Sequence, residues 1–168
     1  MNKKFKAVFL DRDGVINKNK DDYVKNIDEL EIIPNIEKSI KKLNETNFLV
    51  IVITNQSIIN RGLTSLLNLK KIHQKIQKHL NDNDAHFDDL YFCPHTPNEN
   101  CFCRKPNPGL LLQAIKEHDI DSKRSWMIGD RESDIVAGKK AGCKTILITS
   151  NFDLTNAVEL IIKNESNK

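Results

Sequence analysis

The sequence predicts an α/β fold in which a parallel β-sheet carries helices on both of its faces. Short apolar runs alternate with segments of helical periodicity along the chain, and this alternation is typical of β-α-β units. The apolar runs are continuous, as expected for strands that are buried on both sides. A length of 168 residues fits one domain with its own core, so we expect a single domain over residues 1–168.

Five strands follow from the apolar runs. The first contains four consecutive apolar residues, Ala7 to Leu10, and stops at the acidic Asp11. The second has the apolar run from Val50 to Ile53 at its centre. The predicted strands, in chain order, span residues 5–11, 48–54, 89–93, 125–130 and 144–149.

Five helices follow from apolar residues at helical spacing. The clearest has apolar residues spaced by 3, 4 and 4 positions from Leu69 to Leu80, with Thr64 as its candidate N-cap. Pro34 can begin the first helix, because its missing N–H group costs nothing there, and Gly142 ends the fourth. The predicted helices span residues 34–43, 69–80, 109–118, 135–141 and 154–162.

Composition and charge exclude several classes of protein. The hydrophobic share of 39% and the charged share of 29% are ordinary for a globular chain, which excludes a fibrous or disordered protein. With 26 basic and 23 acidic residues, the net charge of +3 is too small to indicate a nucleic-acid or membrane partner. No apolar run approaches the roughly 20 residues that span a bilayer, and the N-terminus lacks the features of a signal peptide. We expect a cytoplasmic monomer.

Reactive side chains follow the predicted strands at their carboxyl ends. Asp11 and Asp13 follow the first strand, Thr54 ends the second strand, and Asp130 ends the fourth. In a parallel sheet these ends meet at one edge, where ligands bind. Converging carboxylates repel one another unless a cation or a proton intervenes, and oxygen ligands suit Mg²⁺. A solvated Asp-Gly turn is the alternative for the first pair, but the repetition on two strands favours a Mg²⁺ site.

Three cysteines and a histidine crowd into eleven residues. Cys93, His95, Cys101 and Cys103 offer three thiolates and one imidazole, which form a closed tetrahedral shell typical of structural zinc. Clustered Cys and His residues in a reducing compartment indicate a metal rather than disulfides. We therefore predict a Zn²⁺-binding loop over residues 93–103.

Four segments resemble, in order, the motifs of the haloacid dehalogenase (HAD) superfamily of phosphatases. They are Phe9–Asn17 (FLDRDGVIN), Ile53–Ser57 (ITNQS), Lys105 before Pro106, and Ile128–Arg131 (IGDR) with Asp134. With Gly142 they span residues 9–142, nearly the whole chain. The resemblance implies a Rossmann-like parallel sheet and a Mg²⁺-dependent phosphatase.

The resemblance also implies a role for each motif residue. Asp11 would be the nucleophile that attacks phosphorus and forms an aspartyl-phosphate. Asp13 would protonate the leaving oxygen and then activate the water that hydrolyses the intermediate. Mg²⁺ would be held by Asp11, the backbone carbonyl of Asp13, and Asp130. Thr54 and Lys105 would bind the oxygens of the transferring phosphoryl group.

Two residues of the last motif keep two interpretations each. Asp134 either orients groups around the metal or caps the helix that begins near Ile135. Arg131 either reaches a distal group of the substrate or forms a surface ion pair.

The cysteine cluster narrows the resemblance. The pattern CPH…CxCRKPxPG is similar to phosphatases acting on D-glycero-D-manno-heptose 1,7-bisphosphate, and histidinol-phosphate phosphatases share the zinc loop. Arg61-Gly62 and Tyr23-Val24 look more like the heptose enzymes, whereas Ile58, Asn60 and a longer segment 17–23 depart from them. The resemblance implies removal of the C7 phosphate in bacterial heptose-nucleotide and lipopolysaccharide precursor synthesis, with histidinol phosphate as the main alternative substrate.

A sugar bisphosphate would need several groups that bind phosphate and hydroxyls. Arginine grips phosphate through two parallel hydrogen bonds, so additional arginines near the nucleophile suit such a substrate. The candidate substrate-binding residues are Arg12, Asn55, Gln56, Ser57, Arg104 and Arg131.

The spacing of the motifs leaves no room for an inserted cap domain. Asp13 and Thr54 are separated by 40 residues, which a loop, a helix and a strand fill. Thr54 and Lys105 are separated by 50 residues, which a helix, a strand and the zinc loop fill. We therefore expect an open site walled by loops 17–24, 55–63 and 94–104.

Two other classes of protein fit part of the pattern. The 3′-phosphatase part of polynucleotide kinase-phosphatases has a similar second motif and no cap, but it lacks the cysteine cluster. A non-catalytic zinc-binding interaction module would not need the acidic residues and Lys105 together. Both are less favoured than a phosphatase acting on a small sugar phosphate.

Overall fold

The computed structural model describes residues 4–166, in which five strands alternate with five helices. Residues 1–3 and 167–168, at the two ends of the predicted domain, lie outside this range. All ten predicted elements are present. In chain order they are β1 (Lys6–Leu10), α1 (Ile36–Glu45), β2 (Phe48–Asn55), α2 (Leu66–Asn81), β3 (Asp89–Cys93), α3 (Gly109–Glu117), β4 (Trp126–Gly129), α4 (Glu132–Lys140), β5 (Lys144–Leu147) and α5 (Leu154–Ser166).

The five strands form one parallel sheet in the order β3-β2-β1-β4-β5, which confirms the predicted fold class. Strand β1 is central, with Leu10 opposite Val52 on one side and Ile128 on the other. After β1, the chain adds β2 and β3 on one side of it. The chain then crosses to the other side of β1, where it adds β4 and β5. The carboxyl ends of β1 and β4 therefore meet at the switch point of the topology, where ligands bind in open α/β sheets.

Two hydrophobic clusters cover the two faces of the sheet. Helices α1, α2 and α5 pack on one face and helices α3 and α4 on the other. The predicted stripe of α2 is confirmed, since Leu69, Ile72, Ile76 and Leu80 are each at most 1% exposed. Two covered faces hold the strand ends rigidly, so the reactive side chains there have fixed positions.

Three helices begin at residues other than those predicted. Helix α1 begins at Ile36 rather than at Pro34, which lies in the turn before it. Helix α2 is capped by Ser65, whose hydroxyl accepts the N–H of Asn68 at 3.1 Å. The prediction that Thr64 caps this helix was wrong, because the Thr64 hydroxyl donates to the carbonyl of Lys25 at 2.6 Å instead. Helix α4 begins three residues before its first apolar residue, because a polar cap rather than an apolar contact starts it.

No cap domain interrupts the described residues. Only α1 and β2 lie between Asp13 and Thr54, and only α2, β3 and the cysteine-rich loop lie between Thr54 and Lys105. Across residues 4–166, no helix has the length and apolar character needed to cross a bilayer.

Candidate active site

A cleft of about 680 Å³ opens beyond the carboxyl ends of β1 and β4. The three loops predicted to wall the site all line it: Asn19, Lys20, Asp21, Tyr23 and Val24 from the first, Asn55 and Ser57 from the second, Pro97 and Arg104 from the third. Asp11, Asp13, Lys105 and Arg131 also line the cleft. The strand ends thus bring residues from four distant segments of the sequence to one place.

Lys105 lies between two carboxylates at the floor of the cleft. Its Nζ is 2.7 Å from Oδ1 of Asp11 and 2.7 Å from Oδ1 of Asp134, and it donates to the carbonyl of Ile53 at 2.7 Å. Burial works against its charge, but the two carboxylates outweigh burial and raise the pKa of Lys105. The amine is therefore a permanent cation in a site that is only 3% exposed.

Burial dominates the environment of Asp11. It raises the pKa of the Asp11 carboxyl to about 7, although the Lys105 charge acts in the opposite direction. A nucleophilic carboxylate has to be ionised at neutral pH, so a second cation beside Asp11 would favour its reactive form.

Asp130 supplies an observation that fits such a cation. Its Oδ1 is buried and has no hydrogen-bond partner among the described residues, while its Oδ2 accepts the side-chain amide of Asn19 at 2.6 Å. Gly14, with φ +85°, permits this approach, because a Cβ there would overlap the Asp130 carboxylate. Oxygen atoms of Asp11, Asp130 and Asp134 lie within 4.8 Å of one another, and such a donor set suits a hard divalent cation.

Asp134 acts as a cap and as a partner of Lys105. Its Oδ2 accepts the backbone N–H of Arg131 at 3.1 Å and begins α4, while its Oδ1 meets Lys105. Both oxygens are therefore engaged, and the bond to Arg131 supports the interpretation that Asp134 caps the helix. Asp11 and Asp130 are left as the carboxylates available to a cation.

Asp13 is surrounded by hydrogen-bond donors. Its Oδ1 accepts from Arg12 Nη2 at 2.8 Å and Asn17 Nδ2 at 2.9 Å, and its Oδ2 accepts from Gln56 Nε2 at 2.7 Å. Burial favours the neutral form, but the Arg12 charge and these hydrogen bonds outweigh it and lower the pKa of Asp13.

Three predicted substrate-binding residues have hydrogen-bond partners within the protein, and their contact with substrate stays a prediction. Arg12 lines the cleft but is 1% exposed, and its guanidinium binds Asp13. Gln56 is 2% exposed and donates to Asp13 and to Thr54 Oγ1 at 2.9 Å. The Asn55 side chain exchanges two hydrogen bonds with the backbone of Lys105, at 3.0 and 3.1 Å, and so positions that residue.

Thr54 stands at the end of β2 as predicted, with a fully buried side chain. The three remaining candidates for substrate binding, Ser57, Arg104 and Arg131, line the cleft. Ser57 is 3.5 Å from the hydroxyl of Tyr23, and the guanidinium of Arg104 donates to the carbonyl of His95 at 3.0 Å. Arg131 is exposed and forms no salt bridge with any residue in the range 4–166, so the ion-pair interpretation is not supported.

The three cysteines and the histidine of the predicted zinc loop converge on one point. Their ligand atoms lie within 4.8 Å of one another. Cys103 Sγ is 3.2 Å from Cys93 Sγ, 3.4 Å from Cys101 Sγ and 3.2 Å from His95 Nδ1, and all four cysteines of the chain are free thiols. A tetrahedral ion with bonds of about 2.3 Å to sulfur holds its ligands at comparable separations. The cluster could therefore hold a metal ion.

Comparison with known proteins places the chain in a family. The HAD-hydrolase-like family profile matches residues 102–164. The chain is 44% identical over 148 residues to the D-glycero-beta-D-manno-heptose-1,7-bisphosphate 7-phosphatase of Helicobacter pylori strain J99, covering 87% of this chain and 84% of that protein. It belongs to this family of HAD phosphatases. The enzyme of the same name from Pseudomonas aeruginosa is 36% identical over 141 residues, 84% of this chain and 79% of that protein.

A solved structure of the family agrees with the fold throughout. The D,D-heptose 1,7-bisphosphate phosphatase of B. bronchiseptica, complexed with magnesium and phosphate, has a TM-score of 0.89 and 30% identity, covering 95% of this chain and 99% of that chain. The five-stranded sheet and its covering helices are thus the fold of a heptose-bisphosphate phosphatase.

Sequence reasoning missed two residues of this phosphatase site. Asn19 binds the carboxylate of Asp130, and no signal in the sequence indicates this contact. His73 is 3.2 Å from Nη1 of Arg12 through its Nε2. His73 stands four residues after Leu69 and three before Ile76, so its place on the apolar face of α2 was an available signal.

Proposed function

We propose that the protein removes the C7 phosphate of D-glycero-β-D-manno-heptose 1,7-bisphosphate through an aspartyl-phosphate on Asp11. The ion pair of Lys105 with Asp11 at the floor of an open cleft, with Arg104 and Arg131 at its wall, supports this reading most strongly. The names of the relatives support the sugar and the β anomer. The β anomer would place the reaction in the synthesis of lipopolysaccharide precursors.

The proposed reaction has two steps, and Asp11 and Asp13 act in both. The Asp11 carboxylate attacks phosphorus in line, and the bond between phosphorus and the C7 oxygen breaks. Asp13 has to carry a proton for this step, and the negative phosphate beside it would oppose the lowering of its pKa by Arg12; it gives that proton to the leaving oxygen. Asp13 then accepts a proton from the water that attacks the aspartyl-phosphate, so inorganic phosphate leaves and Asp11 is restored.

Lys105 and Thr54 bind the oxygens of the transferring phosphoryl group in this proposal. The three N–H donors of the Lys105 amine meet Asp11, Asp134 and the carbonyl of Ile53. The donor that meets Asp11 would turn to an oxygen of the phosphoryl group as that group reaches Asp11. The Asn55 side chain forms two hydrogen bonds with the backbone of Lys105 and so positions Lys105 in the cleft.

Two metal ions belong to the proposal. Asp11, Asp130 and the backbone carbonyl of Asp13 would hold Mg²⁺, which supplies positive charge to the phosphoryl oxygens and keeps Asp11 ionised. The unpartnered Oδ1 of Asp130 supports this assignment. The three cysteines and the histidine of residues 93–103 would hold structural Zn²⁺. Since thiolate ligands persist in a reducing compartment, we place the protein in the cytoplasm.

The second phosphate of the substrate would meet the wall of the cleft. Arg104 and Arg131 offer guanidinium groups there, and Ser57 offers a hydroxyl. Arg104 is tied to the zinc loop through its hydrogen bond to the His95 carbonyl at 3.0 Å. The metal would therefore set the position of a substrate-binding cation without touching substrate.

Phosphate release with Mg²⁺ tests the proposal. The substrates to compare are both anomers of the heptose 1,7-bisphosphate, histidinol phosphate and a DNA end with a 3′-phosphate. We expect the β-heptose bisphosphate to have the highest kcat/KM and to stop after one phosphate per sugar. Preference for histidinol phosphate would replace the substrate but keep the assignments of Asp11 and Lys105, whereas preference for the DNA end would overturn the sugar-phosphate reading.

A further inference from the structure

Arg12 has a charged guanidinium, yet the residue is only 1% exposed. Buried N–H donors have to be satisfied, because water cannot reach them. The side-chain contacts of this guanidinium go to two residues on different elements. Its Nη2 is 2.8 and 3.0 Å from the two oxygens of Asp13, and its Nη1 is 3.2 Å from Nε2 of His73 on α2.

The contact with His73 has one possible direction. A guanidinium only donates, so Nε2 of His73 has to accept and the proton of the neutral ring sits on Nδ1. Burial and the neighbouring Arg12 charge lower the pKa of His73 to about 3, so the ring stays neutral and available as an acceptor. The His73 ring also lies 6.2 Å from the ring of Phe92 on β3, which supports it from the side.

The guanidinium of Arg12 is therefore fixed at both ends. Asp13 binds one edge of the planar fork and His73 binds the other, so rotation of the fork would break both contacts. Asn17 and Gln56 restrain the Asp13 carboxylate as well, but each reaches a single oxygen. Arg12 touches both oxygens, so its orientation determines the plane of the carboxylate.

We propose that Arg12 and His73 form a positioning pair that aligns the Asp13 carboxyl with the leaving oxygen of the substrate. The inference deepens the proposed function, on which it rests, since it assigns Asp13 the proton transfer described above. His73 touches no reacting atom and acts through Arg12. A displacement of the proton donor by about 1 Å costs catalysis steeply, so loss of the His73 acceptor lowers the rate of the step that needs this donor.

Leaving groups of different basicity separate positioning from a general structural effect. An alkyl phosphate such as the sugar phosphate needs a proton on its leaving oxygen as the O–P bond breaks, whereas p-nitrophenolate leaves without one. A positioning defect therefore slows phosphorylation of Asp11 by the alkyl ester and spares phosphorylation by p-nitrophenyl phosphate. A distorted site slows both.

The test compares three variants of His73 in the full chain. H73L removes the acceptor, H73N keeps a polar side chain that falls short of Arg12, and H73Q keeps an acceptor near the place of Nε2. H79L is the matched control, because His79 lies on the same helix and faces Glu37 at 3.4 Å rather than Arg12. The substrates are p-nitrophenyl phosphate, followed by its burst of p-nitrophenol, and the alkyl phosphate that the wild-type protein hydrolyses fastest.

We expect H73L and H73N to lower kcat on the alkyl phosphate by about tenfold or more, as part of the roughly 10²- to 10⁴-fold that a placed general acid contributes. In these two variants, KM and the p-nitrophenol burst rate should stay within about twofold of wild type. H73Q should recover most of the lost kcat, and H79L should match wild type. Equal losses on both substrates, or no loss in H73L and H73N, would overturn the positioning pair. Because H73N keeps a polar group, it carries the test if H73L fails to fold.

Two further outcomes separate this inference from the proposed function. A wild-type protein that hydrolyses another alkyl phosphate but not the heptose bisphosphate would refute the proposed substrate, while the comparison of variants would still decide the role of His73. Nitrogen-15 NMR of the His73 ring needs no turnover. We expect the neutral tautomer with the proton on Nδ1, and a proton on Nε2 would overturn the pair.

Discussion

Lys105 keeps its charge in a buried place because three acceptors surround its amine. Two of them, Asp11 and Asp134, are carboxylates at 2.7 Å, and they are 10% and 1% exposed at the side chain. Each charge in this trio depends on the others, since a buried ion without its partner is strongly destabilising. The trio of charges around the proposed nucleophile Asp11 therefore also contributes to the stability of the fold.

Lys105→Met should lower the free energy of unfolding by about 3 kcal/mol, because it leaves two carboxylates buried without their cation. The double variant Lys105→Met/Asp134→Asn should recover part of that loss, since one of the uncompensated charges is gone. Neither variant should release phosphate at more than a small fraction of the wild-type rate. Chemical denaturation and phosphate assays measure both effects, and a double variant less stable than the single one would contradict the charge balance.

Asp11→Asn should abolish phosphate release while leaving the fold intact. The amide has the shape of the carboxylate but is a poor nucleophile. Lys105 keeps its contacts with Asp134 and the Ile53 carbonyl, so the site should not collapse. Residual activity above a few per cent in a phosphate assay, with an unchanged circular dichroism spectrum, would argue against Asp11 as the nucleophile.

For single residues, the sequence predicts where a residue lies in the fold better than it predicts the direction of its side chain. Asp11 and Asp130 follow strands that pair in parallel, so the topology alone brings them together. Arg12 and Gln56 also lie in the motifs, yet both side chains bind Asp13. The direction depends on the geometry of the turn and on the distant His73, and neither can be read from the local sequence.

The cysteine-rich loop has little regular structure. Its regular structure is one short 3₁₀ turn, Pro97–Glu99, closed by a capping box between Thr96 and Glu99. Phe102, between two of the clustered cysteines, is 65% exposed. A bound metal can replace the missing apolar core of such a segment.

Cys101→Ala should lower both the zinc content and the thermal midpoint. It removes one ligand of a closed shell, and the free energy of metal binding contributes to folding. Cys143→Ala is the matched control, because Cys143 is buried at 7% exposure outside the cluster and its loss should leave zinc content unchanged. Atomic absorption and thermal melts measure the pair. A Cys101→Ala protein with full zinc content and an unchanged melt would remove Cys101 from the ligand set.

The strands and helices themselves were predictable because periodicity and burial agree along most of the chain. The stripe from Leu69 to Leu80 is buried as predicted. The errors fall at helix starts, where one hydroxyl or carboxylate decides the boundary. Ser65 rather than Thr64 caps α2, and adjacent residues of similar chemistry cannot be separated by pattern alone.

For the whole molecule, the surface gives a prediction about assembly. Leu63, Leu66 and Leu67 are exposed near the start of α2, while other exposed large apolar side chains, such as Phe5 and Leu147, lie on separate elements. A group of three leucines at one helix start, with single apolar residues elsewhere, falls within what a monomer exposes. We expect light scattering after gel filtration to give the mass of one 19.3 kDa chain. A stable dimer would contradict this, and Leu67→Ser would then test whether the start of α2 is its interface.

The topology explains why a capless chain of 168 residues can act on a bisphosphate. The sheet places Asp11, the proposed nucleophile, and Asp130 at its switch point, and three loops extend beyond it to form the walls of the cleft. One wall carries Arg104, tied to the cysteine cluster through the His95 carbonyl. Selectivity then depends on where a second phosphate can reach, rather than on a closing domain.

The central claim is that Asp11 removes the phosphate at C7 and leaves the phosphate at C1. Phosphorus NMR of D-glycero-β-D-manno-heptose 1,7-bisphosphate, incubated with the wild-type protein and Mg²⁺ and with the Asp11→Asn variant as control, tests it most directly. We expect inorganic phosphate to replace the C7 signal while the C1 signal persists, and we expect the variant to change neither signal. Loss of the C1 signal first, or no change with the wild-type protein, would contradict it.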